Sequence, residues 1–329
     1  MSRTVRTRVL WIAAVLVAVA LVAAAWIRIP YFAIGPGPAR EVMPLITFEG
    51  HPRYDSSGEL VFTTVRWFKV TPWQAVVAWL DPSWTVVPEH ELYPPGSDVE
   101  AEQRRSISDM DESKIDAITV VLNRLMDYPT DHGRGALVES TVPRCPADGA
   151  LYPGDLITRI DDTLIRSERQ ASRVIGSVKP GEDLTFHVRA AGRAQDVTLA
   201  RTRCVEGHPR PIVGVRMVEP FPIDVSIDSG EVGGPSAGLM WSLGLYDLMT
   251  PGDLTRGQTI AGTGTIDIEG NVGPIGGIGD KVIGAERSGA TIFLTPADNM
   301  AELDGVDTGD MRLIPVATFD EALAALRQA

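Results

Sequence analysis

The longest uninterrupted apolar run in the 329-residue chain covers residues 9–27, with Arg3, Arg6 and Arg8 before it and Arg28 at its end. At helical rise such a run is about 28 Å long, close to the roughly 30 Å of a bilayer core. Arginines on the N-terminal side put that end in the cytoplasm and residues from about 30 onward outside it. A cleaved secretory signal is the competing reading, because Ala23, Ala24 and Ala25 are small and the start is Arg-rich. A retained anchor is preferred, since the run exceeds a signal core and Trp26 and Tyr31 fall where an aromatic belt meets the outer interface.

Beyond Pro36, Gly37 and Pro38 the pattern predicts strands over 45–49 and 60–67. Four of the seven tryptophans, Trp67, Trp73, Trp79 and Trp84, crowd into this stretch. A membrane-lying surface is one account of them; packing in the core of a small domain is preferred. Between residues 98 and 128 the period becomes helical, with Ile115, Ile118, Leu122 and Leu125 on one face, and this helix reads as scaffold. From about 133 short strands and glycine turns take over, over 136–142, 156–160, 184–189 and 196–199, with a helical piece near 168–176. After a linker at 207–211 come a strand at 222–227, a glycine-rich loop at 229–234 and a helix opened by Pro235 and running to about 249. A turn at Glu269, Gly270 and Asn271, a helix at 278–288 closed by Gly289, strands at 291–295 and 312–316, and a last helix with the capping box Thr318 to Glu321 complete an α/β pattern.

Composition narrows the function. A formal charge of -13 offers no basic surface for phosphate backbones. Cys145 and Cys204 are the only cysteines. In an oxidising compartment an even pair reads as a disulfide; in the cytosol two lone thiols are more often buried and inert.

Pro146-Ala147-Asp148-Gly149, the run 151–157, Ile160-Asp161-Asp162 and Lys179-Pro180-Gly181 resemble a PDZ domain over about 65 residues. The resemblance implies that a glycine-containing loop matching Gly133, Gly135, Ala136 and Leu137 receives a peptide's terminal carboxylate while the peptide adds as a strand. The alternative is a PDZ fold used only as a spacer.

Gly234-Pro235-Ser236-Ala237-Gly238 fits G-x-S-x-G, a weak nucleophile signal by itself. An α/β-hydrolase needs its acid and then its histidine downstream, whereas His51, His90, His132, His187 and His208 all lie upstream. Downstream of Ser236 the one lysine is Lys281 among several arginines. Arginine cannot surrender its proton and a desolvated lysine can, so Lys281 is the candidate base. The runs 232–239, 261–266 and 273–281, in that order, resemble the Lon proteolytic domain. That resemblance implies Ser236 as nucleophile, Lys281 as base and Thr263 as the hydroxyl orienting the lysine. Gly233 and Thr265 depart from the acidic residues common in ATP-dependent Lon, which bears on the charge of the cleft and not on the dyad. With the anchor and the PDZ-like segment, nearly the whole chain resembles PDZ-containing Lon-like serine-lysine proteases of the YlbL type.

The expected organisation is α/β: a cytoplasmic tip and transmembrane helix (1–30), a small α/β region (31–130), a PDZ-like β-rich domain (131–206) and a Lon-type proteolytic domain (207–329). No G-x-x-x-x-G-K-[ST] loop occurs, so an ATP-independent endopeptidase acting on unfolded or exposed polypeptides outside the cytoplasm is expected, with no cofactor or metal and no nucleic-acid partner. A ring-shaped homo-oligomer is implied by resemblance only. The rivals are a catalytically idle PDZ adaptor and a serine esterase; the first is opposed by the presence of both Ser236 and Lys281, the second by the missing downstream histidine.

Overall fold

The computed structural model describes residues 3–93, 96, 98–130, 133–190, 192–205 and 209–328. Helix α1 (Arg3–Trp26) leads into strands β1 (Tyr31–Glu41), β2 (Ile46–Phe48) and β3 (Glu59–Lys69), helix α2 (Pro72–Leu80), β4 (Thr85–Pro88), the single turn α3 (Glu89–Leu92) and the long α4 (Val99–Leu125). Next come β5 (Ala136–Thr141), β6 (Leu156–Ile160), β7 (Thr163–Leu164), α5 (Glu168–Ser177), β8 (Asp183–Ala190), β9 (Arg193–Ala200) and β10 (Val215–Val218). The chain closes with β11 (Val225–Ile227), α6 (Gly238–Met249), β12 (Thr259–Gly262), β13 (Thr265–Ile266), β14 (Val272–Gly273), α7 (Ile278–Arg287), β15 (Ile292–Pro296), β16 (Arg312–Val316) and α8 (Phe319–Gln328).

The larger sheet runs β16-β15-β12-β3-β1-β4, with β3, β12, β15 and β16 parallel neighbours and β1 antiparallel to both β3 and β4. This order departs from the expectation of a separate α/β region over 31–130. Leu60 and Val61 of β3 lie beside Ile260 and Ala261 of β12, and one core joins Leu60, Phe62 and the α4 side chains Met110, Ile118 and Leu122 to Leu239, Trp241 and Leu243 of α6. Phe62 and Trp241, both buried, meet with ring centroids 4.8 Å apart. Sequence periodicity reveals that a strand has a buried face and not which distant strand completes its sheet. The residues between α1 and β5 therefore build one sheet with the C-terminal segment.

The second sheet, β10-β5-β6-β8-β9, is antiparallel and carries its own core around Val138, Ile157, Ile160 and Phe186. Cys145 and Cys204 are joined in a disulfide that ties the turn after β5 to the segment after β9. The unit extends past the expected boundary at 206, because Val213 joins its core and β10 its sheet.

Local chemistry accounts for the helix ends. Asp98 caps α4 by accepting from the amides of Glu100 and Ala101. Thr71 and Gln74 form a reciprocal capping box on α2, with Pro72 in its first turn. At α8, Glu321 donates its backbone N–H to the Thr318 hydroxyl while its carboxylate accepts from Ala317 N–H.

The tryptophan-rich stretch is not core. Trp67, Trp73 and Trp79 are 51%, 63% and 78% exposed; Trp84 is half-buried against Phe68. Helix α2 carries no charge from Pro72 to Leu80 and presents Trp73, Val76, Val77, Trp79 and Leu80 to the outside. It starts where the chain leaves α1, since Ile29 N–H donates to the Val70 carbonyl and Val70 N–H to the Tyr31 carbonyl. Among the described residues no helix is long and apolar enough to cross a membrane. The side chains at 3–10, 17, 20, 21 and 23 of α1 lie outside the described set, so the span at 9–27 rests on sequence.

Candidate active site

The three residues singled out as catalytic converge from three separate elements. Lys281 stands in the first turn of α7, which opens at Gly277. That glycine has φ +70 and a Cβ there would come within 2.9 Å of Val65 Cγ2, so the turn that starts the lysine helix requires glycine on two counts. Ile278 and Val282 anchor α7 in the apolar cluster with Phe293 and Leu303, and Lys281 is carried inward with them to 4% exposure. Its Nζ lies 2.7 Å from Ser236 Oγ and 3.0 Å from Thr263 Oγ1. Among the described residues no carboxylate contacts it, and burial lowers its pKa to about 8.

Ser236 is half-buried in the turn before α6. The expectation that Pro235 opens this helix and that the serine lies inside it is displaced by a few residues: α6 begins at Gly238 with Ala237 as its cap. The turn is tied down from both sides. Gly264 N–H and the Thr263 hydroxyl both donate to the Ser236 carbonyl, at 2.8 Å each, and Leu239 N–H donates to the Gly264 carbonyl. From the other side, Ser113 of α4 donates its hydroxyl to the Pro235 carbonyl at 2.9 Å, and Gly234 N–H donates to the Ser106 carbonyl at 2.7 Å. A Cβ on Gly238 would stand 2.7 Å from Ser113 Oγ and 3.0 Å from Ile266 N, so glycine lets α4 approach the serine turn this closely.

Thr263 is fully buried, accepts from Lys281 and donates to the Ser236 backbone. One hydroxyl thereby fixes both partners. The supporting role of Ser106 and Ser113 is not apparent in the sequence motifs. The signal available was their separation of seven residues, two helical turns, which sets both on one face of α4.

The expected peptide-receiving loop fares differently. Leu137 pairs with Leu156 of β6 on one side and Val218 of β10 on the other, and Ala136 pairs with Ile157. The strand after the loop is therefore interior to its sheet, and a peptide cannot add to an edge that the chain's own β10 fills. Gly135 has a packing reason to be glycine, as a Cβ would stand 2.5 Å from the Ile157 carbonyl oxygen. At Gly133 the backbone has φ +68, which favours glycine, and an added Cβ would meet no neighbour. Leu137, with Arg134 and Arg189, lines a cleft of about 840 Å³ facing Phe48 and Phe221, and none of the catalytic candidates borders it. The open edge on this side of the sheet is β10. A pocket of about 330 Å³ flanks it between Met217, Val218 and Glu219 and the start of α5 at Ser167 and Glu168.

Residues 215–328 match the family model of the Lon protease (S16) C-terminal proteolytic domain. The C-terminal unit is similar to a Lon-type proteolytic domain. Its relatives include the Lon protease of Methanosphaera stadtmanae, 38% identical over 111 residues, and that of Chloroflexus aurantiacus, 39% identical over 111 residues; each alignment takes in 32% of this chain and 13% of the relative. Lon protease 1 of Sorangium cellulosum is 40% identical over 107 residues, which is 31% of this chain and 13% of that protein. The chain thus spans a small fraction of their length. Solved structures with likeness to it include the PDZ domain of an SdrC-like protein from Listeria monocytogenes, with 26% identity, TM-score 0.24, and coverage of 26% of this chain and 88% of that one. The corresponding PDZ domain from Listeria innocua has 25% identity, TM-score 0.24, and coverage of 26% and 97%. The region similar to the Lon proteolytic domain contains Ser236, Thr263 and Lys281.

Proposed function

We propose that this chain is a membrane-anchored serine endopeptidase that uses a Ser236–Lys281 dyad, oriented by Thr263, to cut unfolded or exposed polypeptide segments outside the cytoplasm without nucleotide. The observation that carries the dyad is the buried Lys281 Nζ 2.7 Å from Ser236 Oγ with no carboxylate beside it among the described residues. Neutral, the amine accepts the serine proton as Oγ attacks a peptide carbonyl, and later delivers that proton to the leaving amine. Thr263 accepts one N–H of the neutral amine, which leaves the nitrogen lone pair free to face Ser236. The positive end of α6, just beyond Ser236, supports the oxyanion that forms on the carbonyl.

Nucleotide independence rests on the absence of a phosphate-binding loop from these 329 residues. Membrane association rests on the arginine-flanked run at 9–27 and on the exposed, uncharged α2 at the point where the chain leaves α1. Recruitment of chain ends is assigned to the open edge of β10, where a polypeptide adds as a strand. The reading is tested by incubating the purified full chain with a serine-directed fluorophosphonate and mapping the adduct. Labelling at Ser236, absent in Ser236→Ala together with loss of casein cleavage, supports it; casein cleavage that survives Ser236→Ala rejects it.

A further inference from the structure

Away from the serine, α4 and β5 press three carboxylates together. Glu112 and Asp116 lie one turn apart on α4, Glu139 projects from the middle of β5, and one oxygen from each falls within 4.8 Å of the others. Glu139 and Asp116 are only 3% and 8% exposed, and Glu112 is half-buried. One countercharge is present: Arg216 of β10 reaches Glu139 Oε1 at 2.8 Å. A single guanidinium does not balance three carboxylates, so the cluster must take up either protons or a cation to avoid uncompensated buried charge. Asp116 Oδ1, moreover, is fully enclosed and has no hydrogen-bond partner. The Ser140 hydroxyl serves Glu112 and the Arg216 guanidinium serves Glu139, so the enclosed Asp116 Oδ1 is the acceptor left for a cation to complete.

We propose that Glu112, Asp116 and Glu139 bind a calcium ion that clamps α4 to β5. All three donors are hard carboxylate oxygens, which suit calcium or magnesium rather than a soft metal. Ligand number separates these two: magnesium dehydrates reluctantly and is usually held by one or two carboxylates with several waters, whereas calcium accepts a cluster of three protein carboxylates. The site also has a consequence for the chemistry. Ser113, adjacent to Glu112, and Ser106, two turns earlier, are the α4 groups that hold the turn bearing Ser236. An ion at this point fixes the helix that supports the nucleophile to the sheet whose edge is β10. Calcium binding itself does not depend on the proposed peptidase activity.

The test uses the full chain in detergent micelles, stripped with EDTA and titrated calorimetrically with CaCl2 or MgCl2, with melting followed in parallel. Expected is one calcium per chain with Kd at or below about 1 mM, weaker magnesium binding, and a rise in Tm with calcium. Asp116→Asn and Glu112→Gln each weaken calcium binding at least about tenfold, since each removes one of three charged ligands. Glu112 is half-buried, so Glu112→Gln gives a second readout if Asp116→Asn does not fold. Absence of saturable calcium binding to the wild type up to about 10 mM overturns the proposal and leaves a proton on Asp116 as the compensation. Binding that is unchanged in both variants overturns it as well, by placing the ion elsewhere.

Discussion

Replacing Lys281 with methionine keeps the unbranched apolar stem of the side chain, one atom shorter, and removes its titration. The wild-type lysine falls from an ordinary 10.5 to about 8 because its surroundings desolvate the ammonium. This shift of a few units corresponds to about 3 kcal/mol between the protonated and neutral forms in the fold. The sign is fixed by linkage: between pH 8 and 10.5 the unfolded chain holds a proton on Lys281 that the folded chain does not, so folding stability contributed by this group rises with pH through that window. Below about 8 both states are protonated and the burial penalty is present in full. Lys281→Met removes the penalty and also two hydrogen bonds, to Ser236 and Thr263, worth about 1 kcal/mol each. The variant is therefore as stable as wild type or more so at pH 7, and less stable at pH 10.5. Urea denaturation of both proteins at several pH values reads the difference, and the other titrating groups cancel in the comparison. The gap between the two proteins should change by about 3 kcal/mol from pH 7 to 10.5. Parallel stability profiles would refute a desolvated Lys281.

Thiol titration of the unreduced, denatured chain should find no free thiol, and reduction should cost about 4 kcal/mol, because the Cys145–Cys204 link closes a loop with a separation of 59 residues; two free thiols reject the bond. Gly238→Ala should destabilise by about 1–3 kcal/mol and lower peptidase activity together, as the methyl group meets Ser113 and Ile266 beside the serine turn. Wild-type stability and activity in this variant would show that the α4 contact is loose. Cleavage of an unfolded protein should be the same with and without ATP, and a tightly folded one should resist; an ATP requirement in purified protein rejects nucleotide independence.

Most secondary structure of the PDZ-like and Lon-type units is legible in the sequence because their short elements are bounded by glycine and proline. β6 and β16 fall on the expected residues, and β5, β8, α5 and α7 lie within a residue or so of them. The candidate pair Ser236 and Lys281 is legible for a different reason: chemistry restricts which residues can act, and a lone lysine downstream of a serine stands out where arginines abound, whereas Thr263 is reached only through the resemblance to the Lon domain. Long-range pairing is not legible. β1 and β3 carry ordinary strand composition, and nothing local says that β3 continues onto β12 nearly two hundred residues later. The same limit misplaced the peptide edge, because the pairing of Leu137 with Val218 depends on a strand beyond the expected domain boundary. Exposure also escaped the pattern: Trp73 and Trp79 are typical core side chains by type, and only the turn of α2 against β1 and β4 shows that they point outward.

Whether Lys281 is the base is tested most directly by the pH dependence of kcat/KM for a short peptide substrate, measured for wild type and Lys281→Arg. The wild type should show an acid limb with its midpoint near 8, the value at which buried Lys281 loses its proton. Lys281→Arg keeps the charge and approximate length and should be inactive at every pH, because guanidinium does not release its proton. A folded Lys281→Arg protein that retains more than a few per cent of the wild-type rate would contradict the dyad and return the search for a base to the upstream histidines.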